Sequence, residues 1–538
     1  MKKIKHLIQV ITLSVIPVAL LGVCLFKASE PMTKTVALDG EGTSENPIII
    51  STSTELEEVM SDVNSGTDYA NKYLSITNDL SITLIATTNG KTFRGHLDGG
   101  NHTITLSTSA TGTYVSMFNC VGSVASVSNI VFAGSLSDVG SNSATVCSWN
   151  YGTINNVINN CQLSSTNATG YLGGIAASQI ASTASIQNCV NNAVISGTKY
   201  VGGIVGNLRM GTISDTTNKG NVIASSTSVA GIAGLIGKAN DEEFDAVITN
   251  CINEGNISGT GQVAGIAGGI YPKLTCTNCS NYGDITTSGN GGAGGIAGLI
   301  NSQMSSTFSF ADCYSSGTVT TSAGWAGGLF GYAGGSSIGT INFTNDLSAS
   351  KVVDTSSTGN VGGFMAGQNS TSASFNLEKC QSMASVSYSG SGAFSTGIAL
   401  SKTNIVTNED SSLAVNDKDH GVELSNTTIK LLRAIREFNC IYDSTMANIV
   451  STGVDNLTPN EIDVLDLTVH FGANDYINTY YQSALYINAF LSHNVSGLNR
   501  IIPGITFNNN AMLIVVIVSI SVISGLLLLL LLRKRKRI

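Results

Sequence analysis

Apolar and polar residues alternate with a period of two along the middle of the chain, as in Cys189, Asn191, Ala193 and Ile195, and again in Cys251, Asn253, Gly255 and Ile257. Side chains two residues apart share one face of an extended strand, and the glycine and β-branched content disfavours helix. Short strands separated by turns are therefore predicted. The alternation sits inside a longer phrase: isoleucine, a spacer, Asn-Cys, the alternating stretch, then a glycine pair with Ile or Val. It reads IQNCVNNAVISGTKYVGGIVG from Ile186 to Gly206 and ITNCINEGNISGTGQVAGIAG from Ile248 to Gly268. Tracked through insertions, one landmark falls at Asn160-Cys161, Asn188-Cys189, Asp215-Thr216, Asn250-Cys251, Asn278-Cys279, Asp312-Cys313, Asn345-Asp346 and Lys379-Cys380. The glycine landmark keeps pace from Gly173-Gly174 to Gly362-Gly363. Steps of roughly 27 to 35 residues are those of a solenoid, in which each unit buries its apolar face only against its neighbours.

Coils of this size with several short strands and glycine at the corners predict an all-β protein built as a parallel β-helix, each strand pairing with its counterpart one coil away. The recurrent asparagine suits a sharp bend and can hydrogen-bond along the axis. The small residues of GGIAG allow close backbone approach, and the isoleucines fill the interior. A β-sandwich would need hairpin turns, and few Asn-Gly or Asp-Gly pairs stand at hairpin spacing.

An open solenoid needs its end strands covered. Ile48 to Ile50 followed by a Thr/Ser cap and a helix through Leu56, Val59 and Val63 supplies an N-terminal cap, with the first coils, over residues 41–125. The repeats occupy 126–400. From 401 to 510 the composition changes: Ile429, Leu431, Leu432, Ile435 and Phe438 follow helical spacing, and Thr458-Pro459-Asn460-Glu461 opens a second helix, so a mixed or helical module is expected there.

Most of the clustered positive charge lies at the two termini. Lys2, Lys3 and Lys5 precede an apolar run from Leu7 to Phe26, so residues 1–28 read as a signal peptide or signal anchor, with Ala28 the best processing point. Cys24 lacks the small residue that precedes a lipoprotein cysteine. Met512 to Leu532 is free of charge and long enough to cross a bilayer as a helix. The basic run Arg533 to Arg537 that follows, within a tail of 533–538, belongs on the cytoplasmic side. The expected topology is a single-pass membrane protein with its body outside, at the cell surface. Charged residues are only 11% of the chain and the net charge is −9. With no basic stripe in the repeats, nucleic acid is not an expected partner.

Cys161, Cys189, Cys251, Cys279, Cys313 and Cys380 fall at the repeat landmark, where stacked buried thiols are favoured over regular disulfides. Cys276 and Cys279 form a CxxC with no second pair to complete a zinc site.

These phrases resemble the surface proteins that carry the GLUG motif, whose repeats also accompany bacterial immunoglobulin A1 peptidases. The similarity lies in GGIVG at Gly202, AGIAG at Ala230 and Ala264, GGIAG at Gly294 and GGLFG at Gly327, together with GTSENPIII, YLSITNDLSI and FRGHLDGGNHTITL in order. It covers about residues 41 to 400. The resemblance implies a right-handed parallel β-helix displayed on a surface and says little about chemistry. The peptidase motif His-Glu-x-x-His is absent around His6, His96, His102, His420, His470 and His493.

Four groups invite a chemical reading. Arg94, His96, Asp98 and His102 suggest acid-base or metal chemistry, but Asp98 to Asn101 reads as a turn, with Phe93, Leu97 and Ile104 entering the core. Gly289 to Gly294 fits GxGxxG without a following helix, and the stretch ending at Lys238 is an incomplete phosphate loop. Asp241, Glu242, Glu243 and Asp245 form an acidic patch in an insertion, a solvated loop with at most weak Ca²⁺ affinity. Sequons such as Asn101, Asn256, Asn342 and Asn456 occur at the frequency this composition supplies. No catalytic, cofactor or metal residue is assigned. The expected function is a membrane-anchored adhesion or display stalk, with cell-surface or host glycans or proteins as partners. The alternative is a polysaccharide-binding or polysaccharide-cleaving β-helix enzyme.

Overall fold

The computed structural model describes residues 38–84, 91–108, 112–237, 245–302, 305–356, 359–368 and most of 373–387, with short strands continuing as far as 455–456. Within them the chain winds as a stack of coils whose strands pair in parallel. Two faces are ten-stranded sheets and the rest joins into one 33-stranded sheet, giving about ten coils. One coil runs through Ser185–Gln187, Val190–Asn191, Ile195–Gly197, Val201–Gly202 and Val205–Leu208, and the next begins at Gly211–Ser214. Ile186 pairs with Ile213, Ile213 with Ile248 and Ile248 with Cys276, so like side chains stack inward and are buried. Later coils put Phe310 and Phe343 in that column, their rings stacked 5.1 Å apart. No sandwich is present: among the described residues the antiparallel contact is an isolated bridge between Asp39 and Ile49. Parallel pairing continues through Ile405–Thr407, so the ladder runs past residue 400.

Helix α1, Ser53–Ser65, has Thr52 as its N-cap. Glu55 accepts the Thr52 N–H at 2.9 Å while Thr52 Oγ1 accepts the Glu55 N–H at 3.3 Å, satisfying donors the helix start leaves open. Leu56, Val59, Met60 and Val63 are buried, and the helix packs on Leu80–Leu84 and Ile48–Ile50. Among the described residues no helix is long and apolar enough to cross a membrane. Residues 1–28, nearly all of 401–510, and 512–538, where the signal, helical module and membrane span are expected, lie outside the described residues.

The residue before the landmark cysteine turns the chain. Asn188, Asp215, Asn250, Asn278, Asp312 and Asn345 have φ between 52 and 58°, the left-handed region that Asn and Asp tolerate. Outside, Asn250 donates to Asp215 and Asn278 to Asn250, each at 2.9 Å. The register corrects one landmark: Ile158 pairs with Val190 and Asn159 with Asn191, so Asn156 and Val157, not Asn160 and Cys161, stand under Asn188 and Cys189. Asn156 supplies the positive φ of 53° and valine fills the buried place, while the Asn-Cys pair four residues later has no turning role.

A second, buried ladder lies two residues beyond the cysteine position. Asn159, Asn191, Asn218, Asn253 and Asn281 each donate from Nδ2 to the next, the first four links spanning 2.7–2.8 Å and the last reaching Ser315 Oγ at 3.4 Å. This ladder, together with the next coil's backbone carbonyl, explains why the glycine landmark travels with the asparagine. A Cβ on Gly203, Gly231 or Gly265 would run into the Oδ1 of Asn218, Asn253 or Asn281 respectively. Gly231→Ala should therefore cost about 1–3 kcal/mol as an overpacked site, and urea unfolding of the variant checks it. At the serine position a Cβ on Gly295 would meet Ser315 Oγ, Ser315 Cβ and the Gly328 carbonyl, so Gly295→Ala should stay costly even beside Ser315→Ala.

The nine described cysteines are free and buried. Cys251, Cys279 and Cys313 succeed one another coil by coil, as the stacked arrangement expects, and Asp346 and Cys380 continue their column. Burial pushes the Cys161 and Cys189 thiols up to about 12 and Cys313 up to about 11, which keeps them protonated and unreactive at neutral pH. Cys276 occupies the isoleucine column and its Sγ lies 3.9 Å from that of Cys313.

Candidate binding groove

The polar cluster near residue 100 is dispersed among separate partners. Arg94 lies 3.7 Å from Asp68. His96 Nδ1 is 2.9 Å from Ser126 Oγ, with its ring stacked on Tyr73 at 4.6 Å. Asp98 accepts the Gly100 N–H at 3.0 Å and Asn129 Nδ2 at 2.9 Å, closing the expected turn. His102 faces Asp79, whose carboxyl is held low by the Thr103 N–H and then by His102. Phe93, Leu97 and Ile104 are buried. No pair of these four shares a partner.

The remaining candidates are structural too. Gly292–Gly294 is a strand followed by another strand, Ala297–Ile300. Among the described residues no group of three or more His, Cys, Asp or Glu is placed to hold a metal ion. Asp245 pairs with Lys273 at 2.7 Å, while Lys238, Asp241, Glu242 and Glu243 lie outside the described residues.

The register assembles a different constellation. One ten-stranded face stacks Tyr114, Asn142 and Tyr171 on successive coils, with Tyr200 following as Leu172 pairs with Val201. The adjoining face stacks Thr92, Cys120, Trp149, Ser178 and Asn207. Trp149 reaches across the corner at Ala144 and Thr145: its ring stands 6.3 Å from Tyr114 and 6.4 Å from Tyr171, both edge-on. Tyr171 continues to Tyr200 at 5.5 Å, and Lys199 Nζ lies 4.5 Å over the Tyr200 ring. Offset and edge-on rings at these distances brace one another and hold their outer surfaces in place.

Beside this row, a cleft of about 490 Å³ opens between Arg94 on one side and Trp149 and Tyr151 on the other, with Cys120, Ser123 and Ile180 completing the wall. Its volume falls within the range of small-molecule sites. Gly122 makes the gap. Backbone bonds from Gly122 to Phe93 and from Tyr151 to Val121 set Arg94, Gly122 and Tyr151 one above another. A Cβ on Gly122 would lie 3.0 Å from Thr92 and 3.1 Å from Arg94, so any side chain there fills the notch. Burial, opposed by Thr92 and Arg94, holds the Cys120 thiol above its ordinary range. Burial with the nearby Cys120 raises Tyr151, opposed by Arg209. The Tyr151 hydroxyl is thus a neutral donor and acceptor at physiological pH. No carboxylate is among the lining residues.

Reasoning from the repeat missed Trp149, Tyr151, Cys120 and Gly122. The available signal was departure from the pattern: half-buried Trp149 stands in register with Ser178 and Asn207, small or polar residues that are buried in the next coils.

No family model matches the chain. Over 162 residues it is 30% identical to Halomucin of Haloquadratum walsbyi, a match spanning 28% of this chain and 2% of that protein. A solved structure of a candidate immunoglobulin A1 protease from Bacteroides ovatus aligns at 19% identity, covering 73% of this chain and 89% of that one, with a TM-score of 0.30.

Proposed function

We propose that this chain is a membrane-tethered surface protein whose right-handed β-helix projects as an adhesive stalk, with the groove at Trp149 as its binding surface. Residues 1–28 act as the export signal, 512–532 as the anchor and 533–538 as the cytoplasmic tail, by the hydropathy and charge order of the sequence. The single observation that carries the adhesive role is the braced row Tyr114, Trp149, Tyr171 and Tyr200 beside an open cleft. Rigid aromatic rings bury much surface at low entropic cost, which is why they anchor recognition sites. Binding rather than glycoside cleavage is supported by the lining, since hydrolysis commonly draws on two carboxyl groups flanking the bond. The partial match to Halomucin supports a surface-type repeat protein.

Protease treatment of intact cells expressing the chain is the test. The solenoid should be shed while an epitope on the basic tail stays protected, and the shaved cells should lose binding to a glycan array. A solenoid that survives external protease but is cut after lysis would overturn the topology.

A further inference from the structure

We infer that the notch over Gly122 binds a pyranose bearing a carboxylate, a uronic-acid-type sugar, with Arg94 reading the charge. The inference rests on the adhesive reading above and names its ligand class. Gly122 and Cys120 lie one coil from Arg94 and Thr92 on one side and one coil from Tyr151 and Trp149 on the other. Two coil spacings set the backbones that carry the walls ~10 Å apart, which with the side chains between them leaves room for one saturated six-membered ring beside Trp149. A ring so placed has its C–H face on the indole and its substituents at the rim, where Ser123 and Tyr151 offer hydroxyls. Tyr151 is 37% exposed and so reachable.

The charge selects the ligand. Arg94 spends one nitrogen on a loose 3.7 Å approach to Asp68, and its side chain is 56% exposed. The rest of its planar fork can take a carboxylate with two parallel hydrogen bonds. The lining residues include no carboxylate, so the negative charge an anionic sugar meets at Arg94 is that of Asp68, 3.7 Å from one guanidinium nitrogen. The aromatic row gives the site a direction: Tyr171 and Tyr200 extend along the axis from Trp149, so neighbouring sugars of a chain would find further rings.

The chain has two tryptophans, so full-length Trp325→Phe protein in detergent reports on Trp149 by fluorescence. Glucuronic acid and a glucuronate-containing oligosaccharide should perturb that emission, the oligosaccharide at lower concentration, whereas glucose should bind at least about tenfold more weakly than glucuronic acid. Arg94→Gln should remove the preference for the acid and leave glucose unchanged, and Gly122→Val should abolish both signals with the circular dichroism unaltered. If glucose and glucuronic acid bind equally and Arg94→Gln changes neither, the charge reading is overturned while the adhesive groove stands. If no saccharide perturbs Trp149 although the protein still binds cells, the inference fails and the groove is not the adhesive surface.

Discussion

Asn218→Ala is expected to cost about 3–5 kcal/mol and to open the solenoid locally at that coil. The side chain donates to Gly220 O and to Asn253 Oδ1, both at 2.8 Å, and accepts from Asn191 Nδ2 at 2.7 Å, all buried. Alanine removes three bonds at once and leaves their partners without water, at roughly 1–3 kcal/mol for each orphaned group and with incomplete additivity. Because each coil rests only on its neighbours, the loss is not spread over the whole molecule. Limited proteolysis should cut near residue 218, and hydrogen exchange should accelerate over the coils carrying Asn191 and Asn253. Asn192 is the control. It also bonds coil to coil, to Asn160 at 2.8 Å, but in solvent, so Asn192→Ala should cost under about 1 kcal/mol. Equal effects at the two sites would mean that the buried ladder contributes no more than the exposed one.

Much of this architecture could be read from residues alone, because each landmark answers to a local demand. Asn250 and Asn278 stand where the backbone takes positive φ, and Gly231 and Gly265 stand where a Cβ has no room. What the sequence could not show is what crowds the glycine: the next coil's buried asparagine, Asn253 at Gly231 and Asn281 at Gly265, and that coil's backbone carbonyl both lie against it. Spacing also misled at Asn160-Cys161, since two Asn-x pairs four residues apart both fit the phrase and only the pairing of Ile158 with Val190 chooses between them. The groove was illegible for a different reason. Arg94, Gly122 and Tyr151 are about thirty residues apart in sequence and meet only through register, and none of them belongs to the recurring phrase. Repetition reveals what every coil needs; a binding site is built where single coils depart from it.

Asp346 is such a departure inside the core, and it should make stability fall as pH rises. It takes the cysteine place in the column between Cys313 and Cys380, fully buried. Its Oδ1 accepts the Cys313 N–H at 2.7 Å and Oδ2 accepts the Thr344 N–H at 3.1 Å. Burial outweighs these two bonds and holds the carboxyl well above its ordinary range, with Asp312 adding to the rise. The sign follows from proton counting. The unfolded carboxyl releases its proton near pH 4 while the folded one keeps it, so between the two values the folded chain binds more protons. Stability is then fullest below the unfolded value and declines by up to ~1.4 kcal/mol per pH unit until the folded group ionises. The same column already holds a neutral solution: Thr216 Oγ1 accepts the Cys189 N–H at 3.4 Å. Asp346→Thr should therefore flatten the decline between pH 5 and 8, making the variant the more stable protein at the upper end. Urea midpoints across that range, read by exchange at residues 313–347, supply the measurement, and parallel profiles for the two proteins would show that the buried carboxyl does not set the slope.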